Sequence, residues 1–299
     1  MASVSRPPRD VPVTVHVGYH KTGTSWLQRA YLPIHPEVQV VGDSVDPAND
    51  PFLGYLVGSN DWTFDPDHAW ALFAEQAEAD GRHLVVSAER LSGHPFSGGF
   101  DQVRLARRIR STLPGARVVV VVRDQVAMLE SVYRQLVESG YPGSFASLIG
   151  GHGWTTPWFD PVMYEYDVVL EHYRRIFGED GVLMLRYEQL DRDPDAFVRA
   201  LCAFMHVRFV PGPRQRVNRT VSAEFLLVTR LLNRFRRTER NRWPVVPLPA
   251  KAVGALSAKL GRLLPASARN LVTDEERAWI EGRYAASNAR LTSMIEPTA

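Results

Sequence analysis

The segment at residues 13–32 constrains the fold of this chain more than any other. Valines alternate with polar residues over 13–17, which is the period-two pattern of a β-strand, and Gly18 interrupts it. Residues 19–23 are a short polar turn that contains Lys21, and a helical spacing of apolar residues follows until Pro33. A strand, a glycine-containing loop and a helix in this order gather backbone N–H groups and a lysine around an anion. The unit therefore predicts a phosphate or sulfate site, with an ordinary tight turn as the alternative.

The loop differs from a Walker A motif in its spacing. Lys21 follows Gly18 by only three residues, whereas a Walker A motif has four residues before its Gly-Lys pair. The order Gly-x-x-Lys-Thr-Gly-Thr-Ser-Trp instead resembles the loop that holds the 5′-phosphosulfate in sulfotransferases, which use 3′-phosphoadenosine 5′-phosphosulfate (PAPS). The resemblance is to bacterial and carbohydrate-type members. It implies these cofactor-binding residues: Lys21, Thr22, Gly23, Thr24, Ser25 and Trp26.

Strand and helix patterns alternate along the first two thirds of the chain. The predicted strands are 13–17, 84–87, 118–122 and 182–187, and the predicted helices are 24–32, 67–79, 100–112, 125–139, 161–177 and 194–205. The run Val118–Val122 contains no polar residue, which is typical of a strand buried on both faces of a parallel sheet. The alternation predicts an α/β, P-loop-like three-layer fold with a central parallel sheet flanked by helices.

The domain organisation follows from the absence of a linker-like segment. We expect one sulfotransferase domain over 1–299, with a flexible N-terminus at 1–11 and a C-terminal helical extension over 214–299 that includes a candidate lid. The N-terminus lacks the apolar core of a signal peptide, and no apolar run approaches the roughly 20 residues of a membrane span. Cys202 is the one cysteine, among apolar neighbours, which predicts a buried thiol. Together these features predict a cytoplasmic protein.

Three charged residues follow directly after predicted strands or their loops, where ligands bind in open parallel sheets. These are Lys21, Glu89 and Arg123. Arg123 ends the valine strand, and on that fact alone a structural salt bridge to Asp124 or a helix carboxylate is an equal alternative. Its spacing to Ser131, with seven residues between them, resembles the sulfotransferase element that holds the 3′-phosphate. The resemblance implies that the guanidinium and the hydroxyl bind this phosphate.

The segment Ser87-Ala-Glu-Arg-Leu resembles the Ser-x-Glu segment of bacterial and carbohydrate-type members, which implies that Glu89 is the catalytic base. The alternative is a structural pair with Arg90 or Lys21. His20, beside Lys21, is the rival base or a cofactor contact. The predicted catalytic residues are therefore Lys21, Glu89 and His20. His16 and His20 do not converge as metal ligands on a strand and a loop, and we expect no metal.

The late segment 214–242 carries nine arginines against Glu224 and Glu239. Its first part resembles the basic loop that covers the 3′-phosphate, which implies that Arg216, Asn218 and Arg219 contact the cofactor. The rest is an amphipathic helix with a solvated basic face, a lid, or a surface that docks an anionic carrier or membrane lipid. The formal net charge of +2 is too small to indicate a nucleic-acid partner.

The resemblance thus implies a sulfotransferase that moves the sulfuryl group from PAPS to a hydroxyl or amine and releases 3′-phosphoadenosine 5′-phosphate (PAP). A small molecule, a sugar, a glycolipid or a polyketide could be the acceptor, and the aromatic segments 52–73 and 152–166 could surround any of them. One alternative is a P-loop kinase or NTPase in which Asp124 acts as the Walker B aspartate. The other is a non-catalytic nucleotide-binding protein.

Overall fold

The strand that leads into the loop is the middle strand of a parallel sheet. The computed structural model describes residues 7–42, 48–150, 159–213, 222–237, 248–263 and 271–295. Among these residues the sheet has five strands: β1 (Val13–Gly18), β2 (Val38–Val41), β3 (His83–Ser87), β4 (Ala116–Val122) and β5 (Val182–Arg186). Their order is β2-β3-β1-β4-β5, and every pairing is parallel. The carboxyl ends of β1, β3 and β4 therefore lie side by side.

The helices of the described residues are α1 (Thr24–Trp26), α2 (Pro51–Gly58), α3 (Pro66–Gln76), α4 (Gln102–Thr112), α5 (Gln125–Glu138), α6 (Phe145–Ile149), α7 (Tyr166–Phe177), α8 (Tyr187–Arg192), α9 (Pro194–Met205), α10 (Ala223–Leu232), α11 (Ala250–Gly261) and α12 (Asp274–Ile295). α1 continues as a π-helical turn at Leu27–Tyr31 and a 3₁₀ turn at Leu32–Ile34. No helix of the described residues is both long and apolar enough to span a membrane.

Helices cover both faces of the sheet. On one face, Val119 and Val121 of β4 pack in a buried cluster with Leu27 and with Phe197 and Leu201 of α9. Residues of opposite parity in a strand point to the opposite face, where α7 contacts β4 and β5 and also contacts α4. This arrangement confirms the predicted three-layer α/β fold with a central parallel sheet. It also confirms that the valine strand is buried, since Val118–Val122 are at most 2% exposed.

The contacts of the chain cluster into two compact units. The first comprises Met1–Asp124, Val162–Val217 and Ser287–Ala299, and the second comprises Gln125–Pro161 and Asn218–Ala286. The sheet, the loop at 19–25, Glu89 and Arg123 belong to the first unit. Ser131 belongs to the second. The single-domain expectation stays a prediction.

The second unit is held by polar contacts among its own helices. In its interior, Asn233 donates from Nδ2 to the Val137 carbonyl at 2.7 Å, and the Thr229 hydroxyl donates to Ser257 at 2.9 Å. Nearer its surface, Arg277 forms an ion pair with Glu130 of α5 at 2.6 Å. These contacts fasten α10, α11 and α12 to the unit.

Several short elements were absent from the sequence prediction, among them β2, α2, α6 and α8. β2 is only four residues long and lies at the sheet edge, and α2 is eight residues long and contains two glycines. The side chain of Asp50 caps α2 by accepting from the Leu53 N–H at 2.7 Å, and Pro51 occupies the first helical position. Cys202 is 1% exposed, so the predicted burial of this thiol is confirmed.

Candidate active site

The loop after β1 turns sharply before α1 begins. Lys21 has a φ of 68° and Gly23 a φ of 79°, and a Cβ atom on Gly23 would lie 2.6 Å from the Leu190 Cδ2. A left-handed conformation is costly for a lysine and persists only where the surroundings hold it. The Thr22 hydroxyl provides one such restraint, because it donates to the Tyr19 carbonyl at 2.6 Å. The loop is therefore built to a fixed shape that exposes the Lys21 side chain.

The hydroxyls of the loop divide into two kinds. Thr22 and Thr24 are fully buried, and both hydroxyls lie within hydrogen-bond distance of the Tyr19 carbonyl. Ser25 is half-buried, so among these three its hydroxyl is the one open to a ligand. No acceptor among the described residues takes a hydrogen bond from the backbone N–H of Lys21, Thr22 or Gly23. These N–H groups are available to an anion.

Arg123, at the end of β4, reaches the loop. Its Nη1 donates to the Lys21 carbonyl at 3.2 Å, and its guanidinium lies over the Tyr187 ring at 4.9 Å. Among the described residues neither Arg123 nor Lys21 has a carboxylate within salt-bridge distance. Two cationic residues that are joined through the Lys21 carbonyl, and that have no carboxylate partner among the described residues, favour an anionic ligand. The structural salt bridge considered for Arg123 is thus absent from the described part of the chain.

The segment after β5 supports Arg123. Tyr187 supplies the ring beneath the guanidinium, and its Cε2 would lie 3.3 Å from a Cβ atom on Gly23. Glu188 accepts from the Asp124 N–H at 2.9 Å, and the Tyr166 hydroxyl donates to the Arg123 carbonyl at 2.8 Å. Both polar groups of the peptide bond between Arg123 and Asp124 are therefore hydrogen-bonded.

Glu89 and His20 form one hydrogen-bonded pair. The His20 Nδ1 lies 2.9 Å from the Glu89 Oε2, and the side chains are 17% and 30% exposed. His20 follows β1 and Glu89 follows β3, and these strands are neighbours in the sheet. The two alternative bases predicted from the sequence are therefore in contact with each other. The pairing of Glu89 with Arg90 or Lys21 is not formed.

Arg90 pairs with Asp101 and not with Glu89. Its Nη2 donates to the Asp101 carboxylate at 2.5 Å, and the other Asp101 oxygen accepts from the His94 N–H at 2.9 Å. Burial alone would raise the pKa of Asp101, but the bonds from Arg90 and His94 hold it below its ordinary value. The Ser92 hydroxyl donates to the Glu89 carbonyl at 2.8 Å and closes the turn. This turn holds the Glu89 backbone in place.

A buried polar layer lies beneath the pair. His16 of β1 places its Nδ1 2.7 Å from the Ser87 Oγ, and Gln28 donates from Nε2 to both oxygens of Ser87 at 3.0 and 3.2 Å. Burial lowers the pKa of His16 to about 4, and the charge of Glu89 opposes that shift. His16 is therefore neutral near pH 7. These hydrogen bonds connect β1, the end of β3 at Ser87 and the helix after the loop. Ser87 lies two residues before Glu89.

Tyr19 anchors the loop from below. Its hydroxyl donates to the Met163 carbonyl at 2.7 Å and accepts from Gln102 Nε2 at 3.0 Å. Its ring packs against Tyr164 and Tyr166 at centroid distances of 6.0 and 5.6 Å. Burial raises the pKa of its hydroxyl, so Tyr19 stays neutral and serves as support.

Trp26 faces the protein interior. It is 8% exposed, stacks on Tyr31 with centroids 5.6 Å apart, and donates from Nε1 to the Pro213 carbonyl at 3.0 Å. The indole therefore fastens the chain at 212–213 to the helix after the loop. Its predicted contact with the cofactor stays a prediction.

The remaining predicted site residues are placed as follows. Ser131 lies half-buried in α5, within the second unit, and its predicted pairing with the 3′-phosphate stays a prediction. Arg216, Asn218 and Arg219 fall at 214–221, outside the described residues, as do residues 152–158 of the aromatic segment 152–166. Of the aromatic residues at 52–73, Phe52 and Phe73 are buried against each other and Trp62 is 96% exposed.

Fold and site together define a class of protein: a P-loop-like α/β protein with a cationic loop beside a His–Glu pair. Comparisons with known proteins agree with this class. Residues 100–211 match the model of the Sulfotransferase family. Human heparan sulfate glucosamine 3-O-sulfotransferase 6 is 27% identical over 207 residues, which cover 68% of this chain and 54% of that protein. The chain thus spans about half the length of this curated relative.

The crystal structure of a sulfotransferase from Alicyclobacillus acidocaldarius has the same fold. Its TM-score is 0.55 at 19% identity, and the alignment covers 96% of this chain and 97% of that one. This likeness shows the fold, and residues 100–211 are similar to the Sulfotransferase family. The kinase alternative is set aside, because both the loop spacing and the comparisons favour sulfotransferases.

Proposed function

We propose that this chain transfers a sulfuryl group from PAPS to a hydroxyl or amine of an acceptor. The observation that carries the proposal is the meeting of Lys21 and Arg123 at the carboxyl ends of β1 and β4, without a carboxylate partner among the described residues. A doubly phosphorylated nucleotide supplies the anionic groups that such a pair requires.

The residues of the loop suit this nucleotide. Lys21, Ser25 and the N–H groups of 21–23 would hold the 5′-phosphosulfate, and Arg123 would hold the 3′-phosphate. The further 3′-phosphate contacts expected from the sequence at Ser131, Arg216, Asn218 and Arg219 stay predictions. When bound, PAPS supplies the sulfuryl group and a 5′-phosphate as the leaving group. No metal is required in this proposal, since the cations of the loop neutralise the charge of the departing phosphate.

Glu89 and Lys21 would carry the chemistry. Glu89 takes the proton of the acceptor as the new oxygen–sulfur or nitrogen–sulfur bond forms, which requires an ionised carboxylate within reach of the nucleophile. Lys21 stabilises the negative charge that the 5′-phosphate gains as its bond to sulfur breaks. Glu89 is 30% exposed and Lys21 is exposed, so both can meet a ligand.

The class of acceptor is proposed from the curated relative. The relative named as a glucosamine 3-O-sulfotransferase favours a sugar hydroxyl among the acceptors considered, ahead of small molecules, glycolipids and polyketides. A cytoplasmic location and the docking of an anionic carrier or membrane lipid through 214–242 belong to the same proposal.

Transfer of labelled sulfate tests the function. Wild-type protein would be incubated with sulfur-labelled PAPS and a panel of amino sugars, neutral sugars, phenols and lipids, with Glu89→Gln as the matched control. We expect a labelled product that depends on Glu89. Absence of any labelled product across the panel, together with absence of PAP binding, would contradict the proposal.

A further inference from the structure

The chemistry of the two side chains determines which of them donates the hydrogen bond between His20 and Glu89. An ionised carboxylate only accepts hydrogen bonds, so the proton between the His20 Nδ1 and the Glu89 Oε2, 2.9 Å apart, sits on the nitrogen. In a neutral imidazole the other nitrogen, Nε2, then carries a lone pair and no proton. His20 is therefore the donor of the pair.

The two side chains differ in access. The His20 Nε2 is buried and has no hydrogen-bond partner among the described residues. The Glu89 side chain is 30% exposed, and no described residue bonds to its Oε1. A general base must come within hydrogen-bond distance of the proton that it removes. An acceptor can reach the Glu89 Oε1, whereas the lone pair of His20 is enclosed.

We propose that His20 is a positioning residue that donates its Nδ1–H to the Glu89 Oε2 and turns the Oε1 toward the acceptor. This inference rests on the proposed function. In the transfer step the acceptor proton goes to the Glu89 Oε1, the acceptor atom bonds to sulfur, and the sulfur–oxygen bond to the 5′-phosphate breaks with its electron pair on the phosphate. His20 keeps its own proton throughout.

The neighbouring groups leave this role to His20. Arg90 is bonded to Asp101, and Ser92 bonds only to the backbone carbonyl of Glu89. His16 lies beneath, with its Nδ1 on Ser87. Within the described residues His20 is the side chain that bonds to the Glu89 carboxylate.

Three substitutions of His20 distinguish a hydrogen-bond donor to Glu89 from a catalytic base. The amide nitrogen of asparagine lies close to where an imidazole carries Nδ1, so it can still donate to Glu89, but it accepts no proton. Glutamine places its amide nitrogen nearer Nε2, and alanine places no donor at all. We would compare His20→Asn, His20→Gln and His20→Ala with His68→Asn, which alters an exposed histidine on α3.

We expect His20→Ala and His20→Gln to lower kcat by about 100-fold, the scale for a misplaced catalytic group, while His20→Asn stays within about 10-fold of wild type. His68→Asn should leave kcat unchanged. The Kd for PAP should be the same in all four variants, because His20 acts on Glu89 and not on the nucleotide. An inactive His20→Asn with normal PAP binding would show that the ring itself is the base. Full activity in His20→Ala would show that Glu89 needs no positioning.

A spectroscopic measurement tests the hydrogen bond between His20 and Glu89 without an activity assay. Nitrogen-15 NMR of the His20 ring, assigned by its loss in His20→Asn, reports which nitrogen holds the proton when the ring is neutral. We expect the proton on Nδ1 in wild type and a weakened Nδ1–H bond in Glu89→Gln. A proton on Nε2 would overturn the proposal. If the wild type transfers no sulfate, the proposed function fails. The nitrogen-15 spectrum of the His20 ring still shows whether His20 donates a hydrogen bond to Glu89.

Discussion

Arg123 donates a hydrogen bond from its Nη1 to the carbonyl of Lys21, at 3.2 Å. The bond joins the ends of two adjacent strands, β1 and β4, and it forms at a lysine whose φ is 68°. It joins the planar guanidinium of Arg123 to the backbone of Lys21. The two cationic side chains suit different parts of one phosphorylated ligand. The contributions of Arg123 and Lys21 to ligand binding and turnover can be tested by substituting one residue at a time.

Lys21→Ala should remove most turnover and leave the fold intact. The side chain is exposed and unpaired among the described residues, so its loss removes charge stabilisation without a core defect. We expect kcat to fall by about 100- to 1000-fold, the range for removing one group that stabilises developing charge. Lys251→Ala, on the exposed face of α11, is the matched control. Steady-state kinetics with circular dichroism would check this, and normal turnover in Lys21→Ala would contradict the mechanism.

Arg123→Ala should weaken PAP binding by about 2–5 kcal/mol, the scale for truncating one partner of a buried charge pair. Arg123→Lys should recover only part of the loss, since an ammonium cannot make the planar contact with both phosphate and the Tyr187 ring. Arg199→Ala, which also removes a guanidinium from above an aromatic ring but outside the site, should bind PAP normally. Titration calorimetry measures all three. Equal affinity in Arg123→Ala and wild type would show that Arg123 does not contact the nucleotide.

Gly23→Ala should disturb the loop. Its φ is 79°, and the added methyl group would lie 2.6 Å from the Leu190 Cδ2, so both strain and a clash result. We expect a stability loss of about 1–3 kcal/mol and weaker PAP binding. Gly58→Ala meets nothing within 4 Å and should be neutral or slightly stabilising. Urea denaturation of both variants gives the comparison, and equal stability for the two would show that the loop tolerates a side chain.

His16 should make the free energy of unfolding depend on pH. Its pKa falls from 6.5 to about 4 on folding, because burial disfavours the charged ring. The unfolded chain therefore binds the proton first as the pH drops. Stability from the neutral ring is fully present above pH 6.5 and is lost as the pH falls toward 4, by about 3 kcal/mol at most.

His16→Asn removes this titration while leaving an amide beside Ser87. We expect its unfolding free energy to fall less steeply between pH 6.5 and 4.5 than that of wild type, in which His83 also titrates with a pKa lowered to about 4. His68→Asn should keep the wild-type slope. Denaturant titrations at several pH values measure the slopes. An unchanged slope in His16→Asn would mean that His16 is not held neutral.

Much of the fold could be predicted because its signals are local. The alternating valines of β1 and the unbroken valines of β4 each define a strand and its burial without reference to the rest of the chain. β2 could not be predicted, because four residues at an edge carry too little pattern, and it forms by pairing with β3. Tertiary contacts, and not local preference, place it.

The site was predicted less completely, for a physical reason. Sequence neighbours suggested Arg90 or Lys21 as the partner of Glu89, but Arg90 turns to Asp101 and His20 takes its place. A signal was present: His20 and Glu89 both follow strands that end at the same edge of the sheet, and adjacent strand ends bring side chains together. The order of strands, which places β3 beside β1, was the missing information.

The binding of PAP tests the central claim most directly. Thermal unfolding would be followed with PAP, with ADP, and with ATP and magnesium, in wild type and in Arg123→Ala. We predict that PAP raises the Tm of wild type, that ADP and magnesium–ATP raise it little, and that the PAP effect shrinks in Arg123→Ala. Saturation at 100 times Kd corresponds to about 2.7 kcal/mol of added stability. A rise only with magnesium–ATP would contradict the account and make Asp124 the next residue to substitute.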